Sequence, residues 1–257
     1  IQMNIKQIPT GPIQENCYLV WNDAGELLII DPGADASLIQ RQIEAIQAKP
    51  LAILLTHTHY DHIGAVDELR NVYQIPVYVS PLENAWLSDP VLNLSSRHPE
   101  LGGLIVQPAE HEFEMTTYEL GSIHFKVVPT PGHSHGSVSF IFDTFVVSGD
   151  ALFKGSIGRT DLHTGNLEQL LTSIQTQLFV LPDETVVDPG HGEPTTIGWE
   201  KNDKNRNLCC QTWKNNVQYG STRSRLVRHP TNSHWRTENS FTRTRIARNR
   251  FYCCLFK

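Results

Sequence analysis

The apolar run Leu51-Ala52-Ile53-Leu54-Leu55 is followed at once by Thr56-His57-Thr58-His59-Tyr60-Asp61-His62. Five consecutive apolar residues closed by a polar stretch read as a buried strand that ends in a loop. The loop holds three histidines and an aspartate within six positions, a density that a chance polar loop rarely reaches. In an extended segment, residues two apart project to the same side, so one metal ion can take both His57 and His59. Asp61 and His62 fall past the expected end of the strand, where a turn can aim them at a second position. Imidazole nitrogen and carboxylate oxygen suit zinc, manganese and iron.

The chain before and after this loop reads as mixed α/β. Residues 2–8 and 16–21 predict two paired strands around Pro9-Thr10-Gly11-Pro12, with Cys17 as a core residue rather than a nucleophile. Leu27–Ile30 predicts another buried strand, closed by Asp31-Pro32-Gly33. Leu38, Ile39, Ile43 and Ile46 give a helical stripe between Asp35 and Lys49. A short helix near 63–71, a strand at 77–79 and a helix at 82–87 follow. Residues 88–112 read as a long loop that overhangs the site, with His98 and His111 as solvated surface groups. Strands are expected at 123–128, 137–142 and 145–148. A helix is expected at about 167–181, capped by Asn166 and buried through Leu167, Leu170, Leu171, Ile174 and Leu178.

His57-Thr58-His59-Tyr60-Asp61-His62 resembles the H-x-H-x-D-H motif of the metallo-β-lactamase superfamily. Three later stretches match in order: Thr130-Pro131-Gly132-His133-Ser134-His135-Gly136, then Ser148-Gly149-Asp150, then Gly190-His191-Gly192. Within that superfamily the chain resembles the small glyoxalase II-like hydrolases of hydroxyacylglutathione hydrolase type, over about residues 1–200. The resemblance implies a four-layer αββα sandwich. It also implies two divalent metal ions, zinc before manganese or iron. His57, His59 and His133 would hold one ion, Asp61, His62 and His191 the other, and Asp150 would bridge. A hydroxide at the dinuclear site would attack a small thioester such as an S-acylglutathione, or a related ester, with Asp61 also able to hold the proton of the attacking water.

Five further residues carry open alternatives. Asp31 is either turn chemistry or a carboxylate that orients a metal-bound histidine. His135 rivals His133, but by the family pattern it is a bracing or substrate-facing group. Arg159 and Asp161 form either a buried pair that braces the site or, through Arg159, a clamp for a substrate carboxylate. Lys154 could reach an anionic substrate but suits an exposed position.

Charge divides the 257 residues in two. Residues 1–200 carry eight Lys and Arg against 25 Asp and Glu, a net of −17, whereas residues 201–257 carry 13 against two, a net of +11. The negative body disfavours nucleic acid and favours a small-molecule substrate. Four of the five cysteines fall in the basic tail, as Cys209-Cys210 and Cys253-Cys254. The body, with Cys17 alone, is no disulfide scaffold and fits a reducing, cytoplasmic setting. No secretory leader pattern is visible at Ile1-Gln2-Met3, and no apolar run reaches the roughly 18 residues of a membrane span. Residues 1–200 therefore read as a hydrolase domain, and 201–257 as a basic tail, disordered or translated out of frame. Two other classes compete with the hydrolase. One is a single-iron persulfide dioxygenase of the same fold, which resembles the chain at Gly158-Arg159-Thr160-Asp161. The other is a binding protein whose tail holds nucleic acid.

Overall fold

The structure, a computed structural model, describes residues 3–203 and the backbone at 226–227 and 236–237. Two compact units are present, Ile1–Asn202 and Asp203–Lys257. In the first, an antiparallel start, Met3–Thr10 (β1) on Glu15–Asn22 (β2) on Glu26–Ile30 (β3), continues into parallel pairings with Lys49–Leu54 (β4), Val77–Val79 (β5) and His111–Glu112 (β6). The second sheet contains Thr117–Leu120 (β7), Ile123–Pro129 (β8), Val138–Ile141 (β9) and Phe145–Gly149 (β10), then, past the small hairpin Leu152–Phe153 (β11) and Ser156–Ile157 (β12), Val186–Pro189 (β13) and Thr195–Thr196 (β14). Its spatial order is β14-β13-β10-β9-β8-β7, with β10 and β13 parallel.

The apolar runs of β2, β3 and β4 are buried on both faces. Leu19, Leu27, Ile29 and Ile53 point outward into a core shared with Ala36–Ile46 (α1) and Val66–Tyr73 (α3). Their alternates Tyr18, Val20, Leu28, Ile30 and Leu54 point inward against Phe125, Val127, Phe140 and Val147 of the second sheet. A strand covered on both sides has no solvent face, so it shows continuous rather than alternating hydrophobicity. On the other side, Leu170 of Leu167–Ser173 (α4) packs on Gly132 in the β8–β9 loop, and Ser173 donates to the Pro131 carbonyl. The αββα order expected from the resemblance is the one observed.

Local differences have local causes. The helix expected at 63–71 is found as α3, Val66–Tyr73, preceded by a separate single turn, Tyr60–Ile63 (α2), inside the histidine motif. The expected 82–87 helix is a 3-10 turn at Asn84–Ser88, and 88–112 holds two further 3-10 turns and ends on β6. The α4 helix is capped by Asn166 Oδ1, which accepts from Gln169 N, as expected. It gives way to a π turn at Ile174–Leu178, and Leu167 lies at the surface rather than on the buried face. Strands β7 and β13 were not anticipated. β7 is half exposed, and β13 is four residues whose apolar run stops at Asp188. Residues Ile197–Asp203 (α5) close this unit.

In the second unit, Leu226–Val227 (β15) pairs antiparallel with Arg236–Thr237 (β16). The other expectations placed on residues 204–257, including both cysteine pairs, lie outside the described residues. Among the described residues, no helix is long and apolar enough to cross a membrane.

Candidate metal centre

The carboxyl ends of β3, β4, β10 and β13 converge, and each releases a motif there. From β4 come His57 and His59, after which the one-turn helix α2 swings Asp61 and His62 in a new direction, with His62 N bonded to the His59 carbonyl at 2.9 Å. His133 comes from the β8–β9 loop, Asp150 follows β10, and His191 follows β13. Backbone bonds tie the sheets at this end: Val138 N to Thr56 O at 2.9 Å, and Asn16 N to Gly190 O at 2.8 Å.

Among the described residues three sets of close donors result; that of Asp31, His57 and His62 shares its histidines with the other two and has its carboxylate bonded to His62, which leaves two candidate ligand groups. The donor atoms of His57, His59 and His133 lie within 4.8 Å of one another, as do those of Asp61, His62 and His191. His133 Nε2 is 2.9 Å from His59 Nδ1, and His191 Nε2 is 3.1 Å from Asp61 Oδ2. Asp150 lies between the groups. Its Oδ1 is 3.4 Å from His62 Nε2, and its Oδ2 is 3.4 Å from His133 Nε2 and 3.7 Å from His191 Nε2. At Gly190 a Cβ would collide with Asp150 Oδ1, so only glycine permits this approach, and Gly192 turns the chain away at φ +81°.

The imidazoles are oriented from behind. His62 Nδ1 donates to Asp31 Oδ2 at 2.9 Å, and His133 Nδ1 donates to the Arg159 carbonyl at 2.8 Å. Thr56 Oγ1 donates to Asp31 and lies 3.1 Å from His57 Nδ1. With Nδ1 engaged in this way, Nε2 of each of these three rings is left to face the cluster. Asp31 combines a backbone feature with a side-chain contact. It has a turn conformation, φ 48°, and it orients His62.

Electrostatics point to missing positive charge. Glu15, Asp31, Asp61 and Asp150 crowd the site, and their ion-pair partners are histidines. Burial, with its histidine neighbours, pushes His57 well below the usual range, and burial beside His133 takes His59 down to about 3. Burial also opposes a charge on His62, but Asp61 and Asp150 outweigh it and hold that ring well above the usual range. Burial works against an ionised Asp150 as well, yet His62, His133 and His57 keep its carboxyl well below its usual value. His57 Nε2, His59 Nε2, His62 Nε2 and Asp150 Oδ1 are buried without a hydrogen-bond partner. Each such group costs about 1–3 kcal/mol unless something satisfies it. His57 Nε2, His62 Nε2 and Asp150 Oδ1 among these, beside surplus carboxylates, fit a site for divalent cations.

The remaining sequence candidates are placed less centrally. His135 joins neither ligand group. Its ring packs 4.8 Å from Trp86, and its backbone N–H bonds Thr164. Arg159 and Asp161 do pair, Nε to Oδ1 at 2.7 Å, but the side chains are 61% and 44% exposed, so the expected buried brace is wrong. The Arg159 backbone carbonyl reaches the site through His133 Nδ1. Lys154 is exposed and pairs with Glu193, as its chemistry suggested. His111 is exposed, while His98 is half-buried with its ring 4.3 Å from Tyr60. Cys17 is buried, and burial raises its thiol well above the usual range, which suits a core residue. Sequence reasoning missed Glu15 and Glu83, both fully buried, because nothing near them in sequence marks them as internal.

The sequence matches the metallo-beta-lactamase superfamily over residues 10–191. It is 50% identical over 194 residues to a probable metallo-hydrolase of Streptococcus pyogenes serotype M6, covering 73% of this chain and 83% of that protein. It is 35% identical over 203 residues to the hydroxyacylglutathione hydrolase GloC of Haemophilus influenzae, covering 77% and 95%. The crystal structure of the BLEG-1 B3 metallo-beta-lactamase superposes with a TM-score of 0.76 at 46% identity, covering 78% of this chain and 98% of that one. The structure of TTHA1623 in a di-iron-bound form gives 0.67 at 38% identity, with 77% and 98% covered.

Proposed function

The chain belongs to the metallo-β-lactamase superfamily, and from that premise we propose that it is a dinuclear hydrolase of small thioesters. Metal-dependent hydrolysis follows from the family and from the histidine–aspartate cluster. The single observation that carries the dinuclear reading is the position of Asp150, one carboxylate with an oxygen toward each ligand group. A carboxylate can bridge two cations in a way that a neutral imidazole cannot. In this reading His57, His59 and His133 hold the first ion, and Asp61, His62 and His191 hold the second. The ions are zinc, with manganese or iron as the other candidates.

Two such ions supply a water acidified toward a pKa of about 7 and a pull on the substrate carbonyl. The protein does the rest. His57 and His62 are closed off, whereas Asp61, Asp150 and His191 are 12%, 10% and 27% exposed, so substrate approaches from that side. The Asp61 carboxylate, which stands 3.1 Å from His191 Nε2, would also be placed to hold the proton of the attacking water. Asp31 keeps His62 from rotating. No serine or cysteine nucleophile is required.

Thioester specificity draws support from the likeness to GloC. The likeness to a protein named a B3 metallo-beta-lactamase puts a cyclic amide beside it. The single-iron dioxygenase reading leaves the group of Asp61, His62 and His191 without a task, which disfavours it. The test is a panel of S-lactoylglutathione, a shorter acyl thioester, a lactone, a chromogenic β-lactam and a persulfide with oxygen monitored. The expected result is kcat/KM for a thioester at least ~10-fold above the others, about 1.4 kcal/mol in the barrier. Turnover of the β-lactam alone, or oxygen uptake with the persulfide, would overturn it.

A further inference from the structure

We propose that Glu83 is a positioning residue that fixes the gap between the loops carrying His57, His59 and His133, and so sets the affinity of the first metal position without altering the second. The proposal rests on the dinuclear reading above. Glu83 is fully buried at the turn that follows β5, with its N–H on the Ser80 carbonyl at 3.0 Å and its carbonyl accepting Trp86 N at 3.0 Å. Its backbone is therefore fixed independently of either ligand loop.

Each carboxylate oxygen serves one loop. Oε2 accepts from Thr58 N at 2.8 Å and from Thr58 Oγ1 at 3.0 Å. Oε1 accepts from Ser134 Oγ and from Gly136 N, the latter at 2.9 Å. Thr58 stands between His57 and His59, and Ser134 follows His133. One rigid carboxylate thus spans the two loops next to all three imidazoles of the first group. A Cβ at Gly136 would stand 2.6 Å from Glu83 Cγ, so the second loop is pressed directly onto this side chain.

The second group is supported by other residues. Asp31 holds His62, and the loop that carries His191 is held by Asn16 Nδ2 and Tyr18 OH on the Pro189 carbonyl at 2.9 and 2.7 Å. Glu83 touches neither Asp31 nor the Pro189 carbonyl, so disturbing it should be felt at the first metal position only. Groups that orient ligands typically change metal affinity about 10–100-fold.

Full-length, metal-loaded wild type and Glu83→Gln are dialysed against graded chelator, and retained metal is counted by mass spectrometry alongside circular dichroism. The amide that Glu83→Gln introduces would place an NH2 against the donors of one of the two loops. The expected result is two release steps in the wild type, of which Glu83→Gln moves one to a ~10–100-fold lower chelator concentration and leaves the other in place. Asp31→Asn, whose carboxylate reaches His62 directly and His57 through Thr56, should by contrast move both steps. Unchanged release from folded Glu83→Gln, or equal movement of both steps, would overturn the proposal, the latter being what a merely structural role gives. If Glu83→Gln does not fold, Ser134→Ala decides, with a smaller shift of the same single step expected and no shift counting against it. A wild type that retains no metal would refute the dinuclear reading itself, a failure read in a different sample.

Discussion

At the scale of single residues, the site is organised by carboxylates rather than by histidines. The imidazoles supply lone pairs, but Asp31 selects the face that His62 presents, Glu83 ties two loops, and Asp150 faces both ligand groups. Asp150→Ala should therefore leave about one ion per chain and lower hydrolysis by at least ~100-fold, the upper end of what ligand-orienting changes cost. Near wild-type turnover in a folded, two-metal variant would count against a bridging role. A different carboxylate supplies a pH dependence. Asp188 is buried in β13 with Oδ2 unpartnered, and burial raises its carboxyl to about 7. Its folded value lies above the unfolded one of about 3.9, so its stabilising contribution is full below that unfolded value and is lost as pH rises through about 7. Asp188→Asn should remove this slope, so its melting temperature should gain on the wild type between pH 5 and pH 8. Parallel curves would show that the carboxyl titrates normally.

At the scale of elements, the most legible parts were those whose burial is written in consecutive residues. β3 and β4 are apolar throughout because both faces are covered, and the ligands follow β4 directly, so strand and site were read together. His133, Asp150 and His191 were legible by their motifs, each at a strand end. Glu83 was not, because its burial is created by Thr58 and Ser134, 25 and 51 residues away. In Leu82-Glu83-Asn84 it reads as an ordinary surface glutamate at a helix start. The exposure of Arg159 was hidden for the converse reason: the Arg159–Asp161 pair is local and forms equally well in or out of water. The core between the sheets is aromatic on one side, with Phe140 touching Phe113 and Phe125 at centroid distances of 5.4 and 6.0 Å. Phe140→Ala should cost about 3–5 kcal/mol of unfolding free energy by denaturant titration, as large core truncations do. A loss below about 1 kcal/mol would mean that the core collapses around the gap.

At the scale of the whole molecule, charge and structure divide the chain at nearly the same place, the acidic unit ending at Asn202 and the basic one beginning at Asp203. Every ligand and every orienting group named above lies in the first unit. Removing residues 204–257 should leave thioester turnover and melting temperature unchanged. If the segment instead binds nucleic acid, the full chain should show salt-sensitive binding that the shortened chain lacks. Loss of turnover on shortening would place part of the catalytic machinery beyond Asp203. Two cations would sit where the buried nitrogens of His57 and His62 and Asp150 Oδ1 lack hydrogen-bond partners. The most direct measurement is the metal content of the full-length protein purified without added metal, counted per chain by mass spectrometry. About two divalent ions per chain is the predicted result, as a dinuclear site requires. A folded protein carrying one iron, or no metal, would contradict it.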